Sequence, residues 1–248
     1  MYIFHTRIDN LSKKEILDKI NSFLYQTSIF NRVSTLNPEI LLQTRVDKDF
    51  QNAINTASLN IADGIGVGFA FLRYGQKLKA RYSGVDLMWD ILEIADKSSY
   101  RVCLIANKKG LSTWEQTRDA ILEKFPNLKI VGKNINYDKG EISNQVQNEI
   151  NKSDIVFVNF GAPLQEIFLD RLSKAGSRAK LGIGVGGAFD YISGVVPRAP
   201  LWMRQIGLEW LFRLFQQPHR AKRIFNAVVV FPIKIIFDKK KSSKTIKH

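Results

Sequence analysis

A carboxylate that follows an apolar strand and precedes a glycine stands where a general base can work, at the rim of a sheet beside a pocket. Asp63 holds that position, after the apolar run 58–62 and before Gly64. The competing role for such an aspartate is to cap the next helix. Gly161-Ala-Pro-Leu-Gln-Glu166 opens a helix, and backbone N–H groups at a helix start suit a phosphate. Gln165 and Glu166 there can hydrogen-bond a base or a ribose; a plain strand-to-helix turn with Pro163 at the first helical position explains the string equally well. Gly182-Ile-Gly184-Val-Gly186-Gly187 fits the glycine spacing of a dinucleotide loop. Its sequel does not, because Gly194, Pro197 and Pro200 break the helix that should follow, and Glu209 lies in an aromatic helical stretch instead of at a strand end. The expectation is a glycine loop that admits a ligand closely, without a nicotinamide cofactor. Asp47-Lys48-Asp49 has the D-x-D form of a metal clamp. It falls inside a predicted helix, where positions i and i+2 do not share a face, so a solvated surface is expected. One cysteine, Cys103, and three dispersed histidines, His5, His219 and His248, exclude an internal disulfide and offer no zinc spacing.

The elements that must position these groups alternate. Ser12-Lys-Lys-Glu15 is a capping box followed by apolar residues at helical spacing. Strands are expected over 32–36, 58–62, 101–106, 128–131, 154–160 and 180–185. Helices are expected after Pro38 through Val46 and over 65–74, 86–95, 114–125, 142–151 and 161–172. Strands joined by helices imply an α/β fold: a Rossmann-like, mostly parallel sheet with helices on both faces. Ligands in such folds gather at the carboxyl ends of strands. Thr35 and Asn37, Asp63-Gly64, Gly161–Glu166 and Gly182–Asp190 all fall there.

At 248 residues, 45% hydrophobic and 24% charged, the chain has ordinary globular composition, and wholesale disorder is excluded. The net charge of +14 is not ordinary and calls for an anionic partner. Of the 37 Lys and Arg, 12 lie in residues 198–248, beside only 2 of the 23 acids. The alternation also stops at Pro197. The expected organisation is therefore a catalytic core over 1–196 and a basic helical C-terminal appendage over 197–248. Trp202, Met203, Ile206, Trp210, Leu211, Leu214 and Phe215 make an apolar face interleaved with arginines, and Lys239-Lys240-Lys241 follow near the end. Such a face suits lipid under an Arg collar better than nucleic acid, whose aromatics are spaced for stacking. Met1–Arg7 lacks the features of a secretory leader. No run reaches the ~20 apolar residues of a membrane span; 224–237 is short and contains Pro232 and Lys234.

Taken together, Thr35-Leu-Asn-Pro38, Ala62-Asp-Gly64, Arg81-Tyr-Ser-Gly84 with Asp86, Gly161–Glu166, Gly184-Val-Gly-Gly-Ala-Phe-Asp190, Arg198-Ala-Pro200 and Gly207-Leu-Glu-Trp210 resemble, in order and spacing, the WecG/TagA/CpsF glycosyltransferases of family 26. The resemblance spans about residues 30–225. It implies an inverting, metal-independent, cofactor-free transferase with a Rossmann-like fold. The sugar, N-acetylmannosamine or a related hexose or uronic acid, passes from a UDP-sugar to an undecaprenyl-diphosphate-linked sugar. Teichoic acid or another surface polysaccharide is the product, made by a cytoplasmic protein peripheral on the inner face of the cell membrane.

By matching position, Asp63 resembles the catalytic base, with Thr35, Asn37 and Arg81 beside it. Gly64, Gly161, Pro163, Gln165, Glu166, Gly184, Gly186, Gly187, Phe189 and Asp190 resemble the substrate-binding set, and Arg213, Arg220 and Arg223 the diphosphate-binding arginines of the appendage. The implied partners are the UDP-sugar, the lipid-diphosphate-linked acceptor and an acidic membrane surface, with no nucleic acid and no metal. A homo-oligomer in solution can form through the apolar tail face. The loop Ala106-Asn-Lys-Lys-Gly110 departs from the family's glycine-rich turn, and Lys108 or Lys109 can substitute side-chain charge for backbone contacts. From charge alone, a basic nucleotide- or nucleic-acid-binding α/β protein without transferase activity stays open as the alternative.

Overall fold

The computed structural model describes residues 1–26, 29–138 and 140–238. A short antiparallel hairpin, β1 (Tyr2–Ile3) and β2 (Thr6–Arg7), precedes six strands: β3 (Asn31–Leu36), β4 (Leu59–Ala62), β5 (Val102–Asn107), β6 (Ile130–Ile135), β7 (Ile155–Val158) and β8 (Leu181–Gly184). They form one sheet in the order β4-β3-β8-β7-β5-β6, and every pairing is parallel. All the carboxyl ends therefore open on one edge.

Period-two alternation sends side chains to two buried faces, which is why the central strands β5, β7 and β8 are almost wholly apolar or glycine, whereas β3 buries Arg32, Ser34 and Thr35 and the edge strand β6 is only partly buried. Val102, Leu104 and Ala106 join one core, with α1 (Lys13–Gln26), α5 (Gly84–Lys97), α6 (Trp114–Lys124) and α9 (Ala188–Ile192). Cys103 and Ile105 face the other side, under α7 (Asn144–Asn151) and α8 (Leu164–Lys174). A third cluster lies under α2 (Pro38–Gln43), α3 (Lys48–Asn55) and α4 (Ile65–Arg73) and includes Ile3 and Phe4 of the hairpin. The capping box forms as expected: the Ser12 N–H donates to Glu15 Oε2 at 2.7 Å and the Glu15 N–H to Ser12 Oγ at 3.3 Å.

The helix expected through Val46 ends at Gln43, and a second begins at Lys48. Asp47 is the N-cap of that second helix and accepts the Phe50 N–H at 2.9 Å. The D-x-D string is thus not mid-helix surface: its first carboxylate holds an orphan helix donor and its second, Asp49, lies in the first turn, where negative charge suits the helix dipole.

The tail folds in short pieces: α10 (Leu201–Gln205), α11 (Glu209–Gln216), a 3-10 turn (Pro218–Arg220), α12 (Ala221–Phe225), a π-turn (Asn226–Val230) and α13 (Phe231–Phe237). Gly207, at φ +81°, separates α10 from α11. The three helices α10, α11 and α12 bury no residue completely, whereas Phe231 and Ile235 of α13 are fully buried among Ile3, Phe4 and Phe71. Among the described residues, no helix is long and apolar enough to cross a membrane. The lysines 239–241 singled out above lie outside the described residues.

Candidate functional site

Strand register sets the first half of the site. Leu36 pairs with Ala62, so Asn37 and Asp63 leave the sheet side by side, and the Asp63 N–H donates to Leu36 O at 2.8 Å. Their side chains then diverge in role. Asn37 caps α2, accepting the Ile40 N–H on Oδ1 at 3.0 Å. Asp63 caps nothing, because the cap position of α4 is Gly64 at φ +83°, with no side-chain cap bond. The carboxylate accepts the Gly64 N–H and faces the cleft, and α4 goes without the side-chain cap considered from sequence.

Two adjoining cavities open on this edge, of about 730 and 390 Å³. Asn37, Asp63, Ser83, Glu209, Arg213, Arg220 and Arg223 line both. The larger adds Gly64, Arg81, Asp86, Arg198 and Arg204 with an apolar wall of Ile65, Phe69, Leu201, Ile224, Val228 and Pro232. The smaller adds Thr35, Gly161, Gln165, Gly186, Gly187 and Asp190, together with Asn107, Lys109, Asn159 and Phe160. Of the two loop lysines considered from sequence, Lys109 lines the cavity and Lys108 does not.

Four expected residues lie elsewhere: Gly184 and three more. Phe189 is fully buried in the core, Pro163 precedes α8 as its cap residue and lines neither cavity, and Glu166 is only 2% exposed behind Gln165. Pro163 is thus one position earlier than the first helical residue. The glycine string divides as well. A Cβ on Gly182 would lie 2.3 Å from the Phe30 ring, and one on Gly184 would lie 2.6 Å from Gln165 Nε2. These two glycines admit protein side chains, not a ligand; only Gly186 and Gly187 border the cavity.

Gln165 ties the loops together. Its Oε1 accepts N–H groups from both Gly161 (3.1 Å) and Gly186 (3.0 Å), and its Nε2 donates to Glu166 Oε1 at 2.8 Å. Burial pushes the Glu166 carboxyl up to about 7, against the pull of the Gln165 amide. Ser112 donates to Asp190 Oδ1 at 2.7 Å and fixes that carboxylate at the cavity wall.

The electrostatics of the rim are uneven. Burial first, then the facing Glu209 carboxylate, push Asp63 up to about 7, while Arg81 and the Gly64 N–H pull the other way. Arg220 falls to about 10, first through burial and then through repulsion by Arg213 and Arg223. Arg223 is held by Glu39 through Nε at 2.5 Å and Nη2 at 3.0 Å. The Nε groups of Arg213 and Arg220 are buried and find no hydrogen-bond partner among the described residues. Buried donors are rarely left so, and three crowded guanidinium groups suit a multiply charged anion. Arg213 lies over the Tyr191 ring at 5.3 Å and against Gly187, where a Cβ would sit 2.6 Å from its Nη2.

Arg81 lies beside Asp63, as expected, and has a second contact. Its Nη2 donates to Arg204 O at 2.5 Å, so it fastens α10 as well as lining the larger cavity. Arg198 grips Asp86 through Nη1 at 2.7 Å and Nη2 at 2.9 Å, and its Nε lies 3.6 Å from Glu209. Burial would raise the Asp86 carboxyl, but Arg198, Ser83 and Arg204 bring it below its usual range. Glu209, Asn107 and Asn159 were not selected from sequence as site residues. Glu209 was visible only inside the Gly207–Trp210 string and as an acid that failed a dinucleotide pattern. Among the described residues, no three His, Cys, Asp or Glu side chains gather as metal ligands.

Comparison with known proteins gives a family match over nearly the whole chain. The glycosyl transferase WecG/TagA/CpsF family matches residues 1–245. A Bacillus subtilis strain 168 protein named N-acetylglucosaminyldiphosphoundecaprenol N-acetyl-beta-D-mannosaminyltransferase is 33% identical over 221 residues, covering 88% of this chain and 81% of that one. Proteins of the same name from Bacillus spizizenii and Staphylococcus aureus strain MRSA252 are 31% and 29% identical, covering 78% and 95% of this chain and 74% and 92% of their own.

Proposed function

The chain belongs to the WecG/TagA/CpsF family of glycosyltransferases, and from that premise we propose that it transfers N-acetylmannosamine from a UDP-sugar to N-acetylglucosaminyl-diphosphoundecaprenol in cell-wall polymer synthesis. The sugar and acceptor follow the names of its relatives. The observation that carries the mechanism is the placement of Asp63 and the crowded Arg213, Arg220 and Arg223 around one cleft.

In this mechanism Asp63 takes the proton of the acceptor hydroxyl as that oxygen bonds to the anomeric carbon. The bond from that carbon to the diphosphate breaks on the opposite face, and the configuration inverts. The proton remains on Asp63 and UDP departs with the negative charge. A base near 7 is matched to this task at neutral pH. The departing charge meets Arg213 and Arg220, whose unpaired Nε–H groups are preorganised donors, and no divalent ion is needed to neutralise it. The nucleoside diphosphate lies in the smaller cavity, where Asn107, Asn159 and Asp190 offer polar groups to a base, Gly186 lets a phosphate approach and Gly187 makes room for the Arg213 guanidinium beside it. The acceptor lies in the larger cavity, whose apolar wall suits the lipid beside its diphosphate.

The appendage then works at the cytoplasmic face of the membrane. Trp202, Phe215 and Phe225 are 59%, 77% and 56% exposed, beside basic side chains, as in a helix lying in an acidic lipid surface. A screen of UDP-sugars for UDP release, with a short-chain lipid-diphosphate-GlcNAc acceptor and a chelator present, tests the proposal. UDP-N-acetylmannosamine should turn over and the chelator should leave the rate unchanged. Turnover of a different sugar alone would replace the donor, and loss of rate with the chelator would restore a metal.

A further inference from the structure

Asp63 does not work against core residues alone. The strand-end base is faced by four groups: the Gly64 N–H, Arg81, Asp86 of α5 and, from the appendage, Glu209 at the start of α11. Two contacts bring Glu209 there. Gly207, two residues earlier, turns so tightly against the core that a Cβ on it would lie 2.7 Å from Ile65 Cδ1 and 3.0 Å from Arg81 Nη1. Ile65 is itself two residues past Asp63. On the other side Arg198, locked onto Asp86, reaches Glu209 with its Nε at 3.6 Å. The acid therefore borders the same two cavities as Asp63.

We propose that Glu209 is a positioning residue that acts through Asp63: docking of α10 and α11 against Ile65 and Arg198 brings a second carboxylate into the cleft that Asp63 borders. A like charge nearby disfavours ionisation, and in a site sheltered from water that repulsion is weakly screened. Arg198 holds Glu209 in place while Asp86 occupies much of its charge, so the arginine fixes the acid without cancelling its effect. The base is thereby complete only when the appendage is seated on the core, and an undocked appendage leaves a weaker base in a more open cleft. The proposal rests on Asp63 being the base of the transfer reaction.

The test uses full-length protein with Glu209→Gln and Glu209→Asp. The acidic limb of the kcat/KM pH profile is recorded, and the Asp63 carboxyl is titrated directly by carbon NMR without substrate. In Glu209→Gln both should move down by about one pH unit. In Glu209→Asp, which keeps the charge, both should stay near wild type. An Asp63 titration that does not move in Glu209→Gln overturns the proposal, as does a variant whose KM alone changes, which would make Glu209 a direct sugar ligand. If the Asp63 titration moves while the rate profile stays, the coupling stands and Asp63 is not the base.

Discussion

Among the described residues, two carboxyl groups are pushed up to about 7, and their surroundings differ. Asp63 faces the cleft; Glu166 is sealed behind Gln165. In its proposed role as base Asp63 must be ionised, so transfer should fall as the pH drops through about 7. Asp63→Asn should lower kcat by about a hundredfold or more, with UDP affinity by calorimetry nearly unchanged. Glu166 should instead appear in stability. Its folded value of about 7 stands above the ordinary 4.5, so the folded state binds a proton that the unfolded chain has lost. Stability is then full below about 4.5 and declines as the pH rises through 7. Glu166→Gln should remove the Glu166 share of that decline, leaving the share of Asp63, and its urea midpoint relative to wild type should be higher at pH 8 than at pH 5. The position of Asp63 was legible from a strand followed by Asp-Gly. That it caps nothing was not, because capping depends on where the helix starts, and the chain gives that place to Gly64.

At the scale of elements, the loops after β7 and β8 are one unit because a single amide bonds both. Gln165 accepts from Gly161 and Gly186 and is oriented by Glu166. The amide reaches them because β7 and β8 are paired in the sheet and Gly184 leaves room above the strand. Gly182 makes the same kind of room for Phe30 and Leu169. Gly182→Ala should cost about 1–3 kcal/mol through overpacking, read as a lower urea midpoint. A glycine spacing matched to a nucleotide loop thus arose half from packing. Sequence spacing records that a side chain is missing but not what fills its place. The split between α2 and α3 was missed for a similar reason: apolar periodicity runs across both, and only the Asp47 cap marks the restart.

At the scale of the molecule, the appendage has two characters. Its last helix is part of the core through Phe231 and Ile235, while α10, α11 and α12 ride on the cleft, with Leu201 and Ile224 lining it and Trp202, Phe215 and Phe225 turned outward. Substitutions should separate the two. Replacing Trp202, Phe215 and Phe225 with Ser should abolish cosedimentation with anionic vesicles and leave the melting temperature unchanged, since these side chains bury little. Phe231→Ala should cost about 3–5 kcal/mol and lower the melting temperature of the whole protein. A variant set with the opposite pattern would show that the outward face packs inside the fold and that α13 does not.

The order of strands and helices, the parallel sheet and the charge gathered in the tail were determined by the sequence itself. Alternation, helical spacing and caps are local properties, carried by residues a few positions apart. The motif strings went further and pointed to the cleft. The tertiary structure decided which residues share it. Gly207 pressed on Ile65, Arg198 reaching from Asp86 toward Glu209, Arg213 against Gly187, and Arg223 held by Glu39 are contacts between distant segments. Such contacts arise only when the sheet closes its carboxyl edge under the folded-back tail, and no local period in the chain encodes them.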